Sequence, residues 1–202
     1  MIRFTPFIAA LIATAFLSPA VYADGVCYTA DKQRDPACVL VPPYDLSLCT
    51  ADEAILFSCP IKGQNKTLSV CGSKSITEST GYIQYRFGTK ERVELRYPEA
   101  KLPPLGLFTK KYSASYGSGS NSIVLDASVT FSTGHHTYVI YSDWINGTPD
   151  ELNNDRRGVY GNHIGVKVYK KKRLIGKLVC DGDRGLIGGP EDIEKNFPNF
   201  LK

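Results

Sequence analysis

His135 and His136 stand side by side, and His163 is the only other histidine of the chain. Together with Asp143 they form the set best suited to hold a metal ion or to move protons. Neighbouring residues of a strand point to opposite faces, so His135 and His136 reach one ion only if a turn bends both rings inward. The pattern therefore predicts no metal centre. Asp126, Asp143 and Glu94 are the carboxylates to weigh for paired acid–base work of the glycosidase kind, but acids in a β domain are ordinarily solvated or ion-paired. Gly117-Ser118-Gly119-Ser120 lacks the Gly-x-Ser-x-Gly spacing that presents a nucleophilic serine, and no His-Glu-x-x-His run occurs. The expectation is a protein with no catalytic residues, no metal and no cofactor. The alternative is an envelope enzyme or ligand-binding protein whose site assembles around His135, Asp143 and His163.

Binding is what remains. Tyrosines recur from Tyr82 to Tyr169, and the one tryptophan, Trp144, lies in a polar stretch with Asp143, Asn146 and Gly147. Aromatics with adaptable polar neighbours suit protein recognition. His135, His136, Asp143, Trp144 and Asn146 are the expected partner-binding residues, on loops from Ser132 to Thr137 and from Ser142 to Asn154.

Six cysteines, Cys27, Cys38, Cys49, Cys59, Cys71 and Cys180, show no Cys-x-x-Cys pair and predict disulfides. Cys59 and Cys71 flank a hairpin centred on Gly63-Gln64, in which Cys59 faces Leu68 and Cys71 faces Leu56. That offset is too long for a disulfide, and its odd parity puts the two sulfurs on opposite faces. Each therefore has another partner. Cys49 lies near the open end of the hairpin and takes Cys71, which leaves Cys59 for Cys180 and Cys27 for Cys38.

The elements that must position these residues are strands. Ile55, Phe57 and Cys59 alternate with other residues and are answered by Leu68 and Val70; Ile83, Tyr85 and Phe87 are answered by Val93, Leu95 and Tyr97. The stretch from Glu99 to Gly119, with its prolines and glycines, reads as a loop crossing to the second half. There, strands over Ile123 to Leu125 and Val129 to Phe131 return through Tyr138 to Tyr141. A polar loop follows from Ser142 to Asn162, then strands over Ile164 to Val168 and Leu174 to Cys180. Lys170-Lys171-Lys172-Arg173 reads as a solvated hairpin tip between the last two. Pro190 followed by Glu191, Asp192 and Glu194 predicts a short C-terminal helix. The sum is an all-β protein: an antiparallel sandwich or barrel of about eight strands in successive hairpins, with disulfides and one short helix.

The N-terminus carries one charge at Arg3, an apolar run from about Phe7 to Leu17, Pro19, and small residues up to Ala23. That is the pattern of a secretory signal peptide over residues 1–23, cleaved after Ala23. Residues 24–50, rich in Pro, Asp and Cys, read as a disulfide-tethered irregular arm, and 51–202 as a single β domain. A net charge of +4 is too balanced to suggest nucleic acid, and no later segment is long and apolar enough for stable membrane insertion.

The segments Ile55-Leu56-Phe57-Ser58-Cys59, Leu68-Ser69-Val70-Cys71, Gly81-Tyr82-Ile83-Gln84-Tyr85-Arg86-Phe87-Gly88 and Glu94-Leu95-Arg96-Tyr97-Pro98, with Gly165-Val166-Lys167-Val168 through Cys180, resemble a widespread set of small exported proteins of Gram-negative bacteria. The resemblance implies a periplasmic setting and a β fold, and it carries over no catalytic residues. In size and style the chain is also similar to periplasmic lysozyme inhibitors and to immunity proteins against secreted toxins, although Ser132-Thr133-Gly134-His135-His136 departs from the Ser-Gly loop motif of the lysozyme inhibitors. The expected function is to bind and neutralise an enzyme, a toxin or another protein that attacks cell wall or membrane. An immunity protein against an antibacterial toxin of the type VI kind is the leading expectation, a lysozyme inhibitor an alternative.

Overall fold

A computed structural model describes residues 46–116, 123–146, 161–181 and 187–201. The alternation of apolar and polar residues is realised as two antiparallel meanders. β1 (Ala54–Pro60), β2 (Thr67–Gly72), β3 (Ile83–Gly88) and β4 (Val93–Tyr97) form one sheet in sequence order. The other contains β5 (Thr109–Tyr116), β6 (Ile123–Thr133), β7 (His136–Asn146), β8 (Gly161–Lys170) and β9 (Arg173–Val179), also in order. The two sheets enclose one core, as in a sandwich: Phe57, Leu68, Val70, Ile83 and Tyr85 from the first pack in one cluster with Val129, Phe131, Ile140 and Val166 from the second. Phe131 is its aromatic centre, stacked on Tyr97 at 4.6 Å and on Tyr138 at 4.8 Å between ring centroids.

The described residues hold nine strands rather than eight, because β5 runs through part of the stretch read as a crossing loop. Thr-Lys-Lys-Tyr-Ser-Ala-Ser-Tyr shows no apolar alternation. It needs none, since β5 is an edge strand held to β6 by backbone pairing from Thr109↔Thr130 to Tyr116↔Ile123. The loop expected from Ser142 is likewise strand as far as Asn146. Ser142 points inward beside Ala127 and Ile164 and Asp143 points outward, so the two-residue period is present but written in polar residues.

The disulfides Cys49–Cys71 and Cys59–Cys180 form as expected, with Cα atoms 5.4 and 5.5 Å apart. Cys59 does face Leu68, whereas Cys71 faces Ile55, because the β1–β2 register shifts between Ile55 and Phe57. Cys59 lies in the core and Cys71 on the outer face of the first sheet, under the 46–50 segment. The expected Cys27–Cys38 disulfide and the expected signal peptide over residues 1–23 lie outside the described residues. Beyond β9 the chain crosses to the first sheet, where Cys180 bridges to Ile61 and Ile187 to Ser58. It ends in helix α1 (Pro190–Asn196), whose first turn is capped by the Asp192 carboxylate accepting from the Gly189 amide at 2.9 Å. Ile193, Phe197 and Leu201 anchor this end in the core. Among the described residues no helix is long and apolar enough to cross a membrane.

Candidate functional site

Thr133 pairs with His136, so β6 and β7 are joined by the two-residue turn Gly134-His135. Gly134 has φ +56°, the first position of a type II′ hairpin, which admits glycine without strain. His135 is consequently exposed at the tip and His136 half-buried on the first strand pair. The β8–β9 hairpin turns beside it through Lys171 and Lys172, with Lys170 paired to Arg173. Both central lysines have positive φ, 48° and 68°, the type I′ geometry that Asn-Gly ordinarily supplies. The Lys171 amide donates to the His135 carbonyl at 3.4 Å, so the two tips are tied side by side. The basic run is thus a hairpin tip, as expected, and joins His135 in one exposed cationic end: Lys170, Lys171, Lys172 and Arg173 are all exposed.

Asp143, Trp144 and Asn146 belong to the other end of β7. His136, next to His135, and Asp143 are seven residues apart along it, roughly 24 Å at the rise of an extended strand. The constellation of His135, Asp143 and His163 therefore does not assemble. Asp143 and His163 do meet: they are direct register partners, and Asp126 faces Asp143 from the other side. This row lies on an open sheet face, with Asp126 and His163 exposed and Asp143 half-buried. Trp144 points the opposite way, between Leu125 and Asn162 in register, and Asn146 is opposite Ile123. Asp143 and Trp144 therefore cannot offer their side chains to one partner surface. Glu94, the remaining carboxylate of the sequence reading, makes a half-exposed ion pair with Lys66 at 2.7 Å.

Beside the Asp126–Asp143–His163 row, Tyr141 lies across the sheet under two cations, with Lys167 Nζ 4.3 Å and Lys177 Nζ 5.7 Å from its ring centre. A side chain at Gly165 would put its Cβ 2.9 Å from the Tyr141 hydroxyl and into the Leu178 backbone, which is why this strand position is glycine. Burial, and then the Asp143 charge, push the Tyr141 phenol pKa above its ordinary value.

A buried polar network was not legible beforehand. Glu53 is 1% exposed and takes a bidentate pair from Arg86, at 2.6 and 2.7 Å. It also accepts from the Tyr82 hydroxyl at 2.6 Å and the Thr50 amide at 2.9 Å, and Lys101 lies 3.2 Å away. Arg86 further donates to Gln84 and to the Leu48 carbonyl. Burial alone would raise the Glu53 pKa; the donors from Arg86, Tyr82 and Thr50 outweigh it and hold the carboxyl well below the carboxylate range. Gln84 and Arg86 alternate with Ile83, Tyr85 and Phe87, so in the sequence they read as the solvent face of the strand and give no signal of burial. Among the described residues, the one group of three metal-ligating side chains within reach of each other is Cys49, Glu53 and Cys71. Both sulfurs there are spent in a disulfide and the carboxylate is neutralised by Arg86, so the group is structural.

Compared with known proteins, the chain matches no family model, no curated protein and no solved structure.

Proposed function

We propose that this protein is exported to the periplasm and there binds and neutralises an enzyme, acting as an immunity protein against a secreted antibacterial toxin. The observation that carries this reading is the paired hairpin tip, in which His135 and Lys170 to Arg173 project from two strand pairs joined by the Lys171–His135 hydrogen bond. A rigid scaffold that presents exposed charged turns recognises a partner at low ordering cost. Left-handed backbone at two successive lysines costs stability, and residues strained in this way cluster at functional sites. The resemblance of the Phe-Ser-Cys, Tyr-Arg-Phe-Gly and Arg-Tyr-Pro segments to exported Gram-negative proteins, together with the export signal and two disulfides, supports the compartment.

The test is capture with the oxidised protein from envelope and secreted fractions, followed by enzymology on whatever is retained. A stoichiometric enzyme whose activity falls on mixing, and whose affinity drops at least tenfold with His135→Ala or Lys172→Ala, supports the reading. An enzyme that stays fully active in the complex, or affinity unmoved by both substitutions, removes it. The second reading, an enzyme or ligand-binding protein, rests on the register that sets Asp143 between Asp126 and His163. It predicts a small molecule or metal ion whose binding Asp143→Asn abolishes.

A further inference from the structure

Three of the four sheet edges carry a device against pairing with a foreign strand. The outer edge of β1 is covered by the returning chain at Cys180 and Ile187. β4 displays Glu94 and Arg96, while β9 displays Arg173 and Lys177 and has a register shift against β8. Charges and bulges of this kind deter edge-to-edge association. β5 has neither over its last five residues. Its start is closed by the C-terminal segment, where the Lys110 amide donates to the Leu201 carbonyl. Among the described residues, nothing pairs with its outer edge from Tyr112 to Tyr116. All five are exposed, none is charged and none is proline.

These residues, Tyr112-Ser113-Ala114-Ser115-Tyr116, read the same in both directions about Ala114. The backbone phase agrees with that symmetry. Because the Lys110 amide points away from β6, the amides and carbonyls of Tyr112, Ala114 and Tyr116 point away from it too. We propose that the protein forms a two-fold dimer by antiparallel β5-to-β5 pairing about Ala114, which joins two five-stranded sheets into one. In this register Ala114 faces Ala114 of the second copy and Tyr112 faces its Tyr116, each as a hydrogen-bonded pair. Ser113 meets Ser115 on the other face. Aromatic and hydroxyl cross-strand pairs of this kind favour the register, and the same patch serves both copies, as a closed two-fold interface requires.

Sedimentation equilibrium from micromolar to millimolar protein is the direct test, with a mass rising to twice that of the chain as the expected result. Ala114→Pro removes only an edge-facing amide, a place where an edge strand tolerates proline; it should abolish the dimer and leave the far-ultraviolet circular dichroism unchanged. In the unaltered protein, amide exchange at Tyr112, Ala114 and Tyr116 should slow as concentration rises, a readout that holds even where the proline variant fails to fold. A monomer throughout the range overturns the proposal, even if a strand of some other protein binds this edge. So does a dimer in which those three amides gain no protection.

Discussion

Lys110 Nζ lies 3.0 Å from the carbonyl oxygen of Phe197, so a lysine from an edge strand holds the end of the C-terminal helix. The same ammonium donates to the Glu194 carbonyl and the Asn199 side chain and sits 3.2 Å from the Glu194 carboxylate. A cation against the last carbonyls of a helix satisfies acceptors that the helix itself cannot. Lys110→Met leaves these oxygens without their donor in a buried place, and we expect a loss of about 2–4 kcal/mol in urea unfolding. Lys111→Met, on the exposed face, should change stability by less than about 0.5 kcal/mol.

Glu53 and Arg86 give a second prediction. Removing one partner of a buried pair strands the other charge, so Glu53→Gln or Arg86→Met alone should cost about 3–5 kcal/mol. The double replacement should cost less than the sum, as a double-mutant cycle will read directly.

The same pair sets a pH dependence. The folded-state pKa of Glu53 is depressed below its ordinary value of 4.5. Its stabilisation is therefore complete above that value and is lost as pH falls below it toward the folded-state pKa. Urea midpoints should fall steadily in acid, and Glu53→Gln should flatten that part of the profile.

The disulfides differ in the loops they close. Cys59–Cys180 spans 121 residues and Cys49–Cys71 spans 22. Chain entropy assigns them about 5 and about 3.5 kcal/mol. Replacing both cysteines of the first pair by alanine should lower the unfolding free energy by more than replacing the second pair, by about 1.5 kcal/mol in the difference.

At the tip, Lys171→Asn with Lys172→Gly relieves two left-handed non-glycine residues and should raise stability by about 1 kcal/mol. If the tip contacts the target, affinity should fall as stability rises. The two measurements moving in opposite directions would separate a strained recognition turn from a merely unfavourable one.

Strand positions were readable wherever an apolar face alternates with a polar one, as in Val93, Leu95 and Tyr97. Even the separate partners of Cys59 and Cys71 followed from parity, because that period survives a register shift elsewhere in the strand. The sequence by itself thus determined two runs of hairpins, a closing helix and the separation of Cys59 from Cys71; which cysteines join was decided by the folded chain. Tertiary structure decided the rest. β5 is a strand because β6 lends it hydrogen bonds, and its own polar residues carry no such signal. Lys110 and Arg86 are buried because carbonyls and a carboxylate from distant segments surround them. The histidine–aspartate cluster of the alternative reading separates into two ends because an extended strand places His136, next to His135, and Asp143 roughly 24 Å apart. Periodicity reports which face a residue takes; how far apart two residues lie, and which distant group meets them, is set only when the strands are laid side by side.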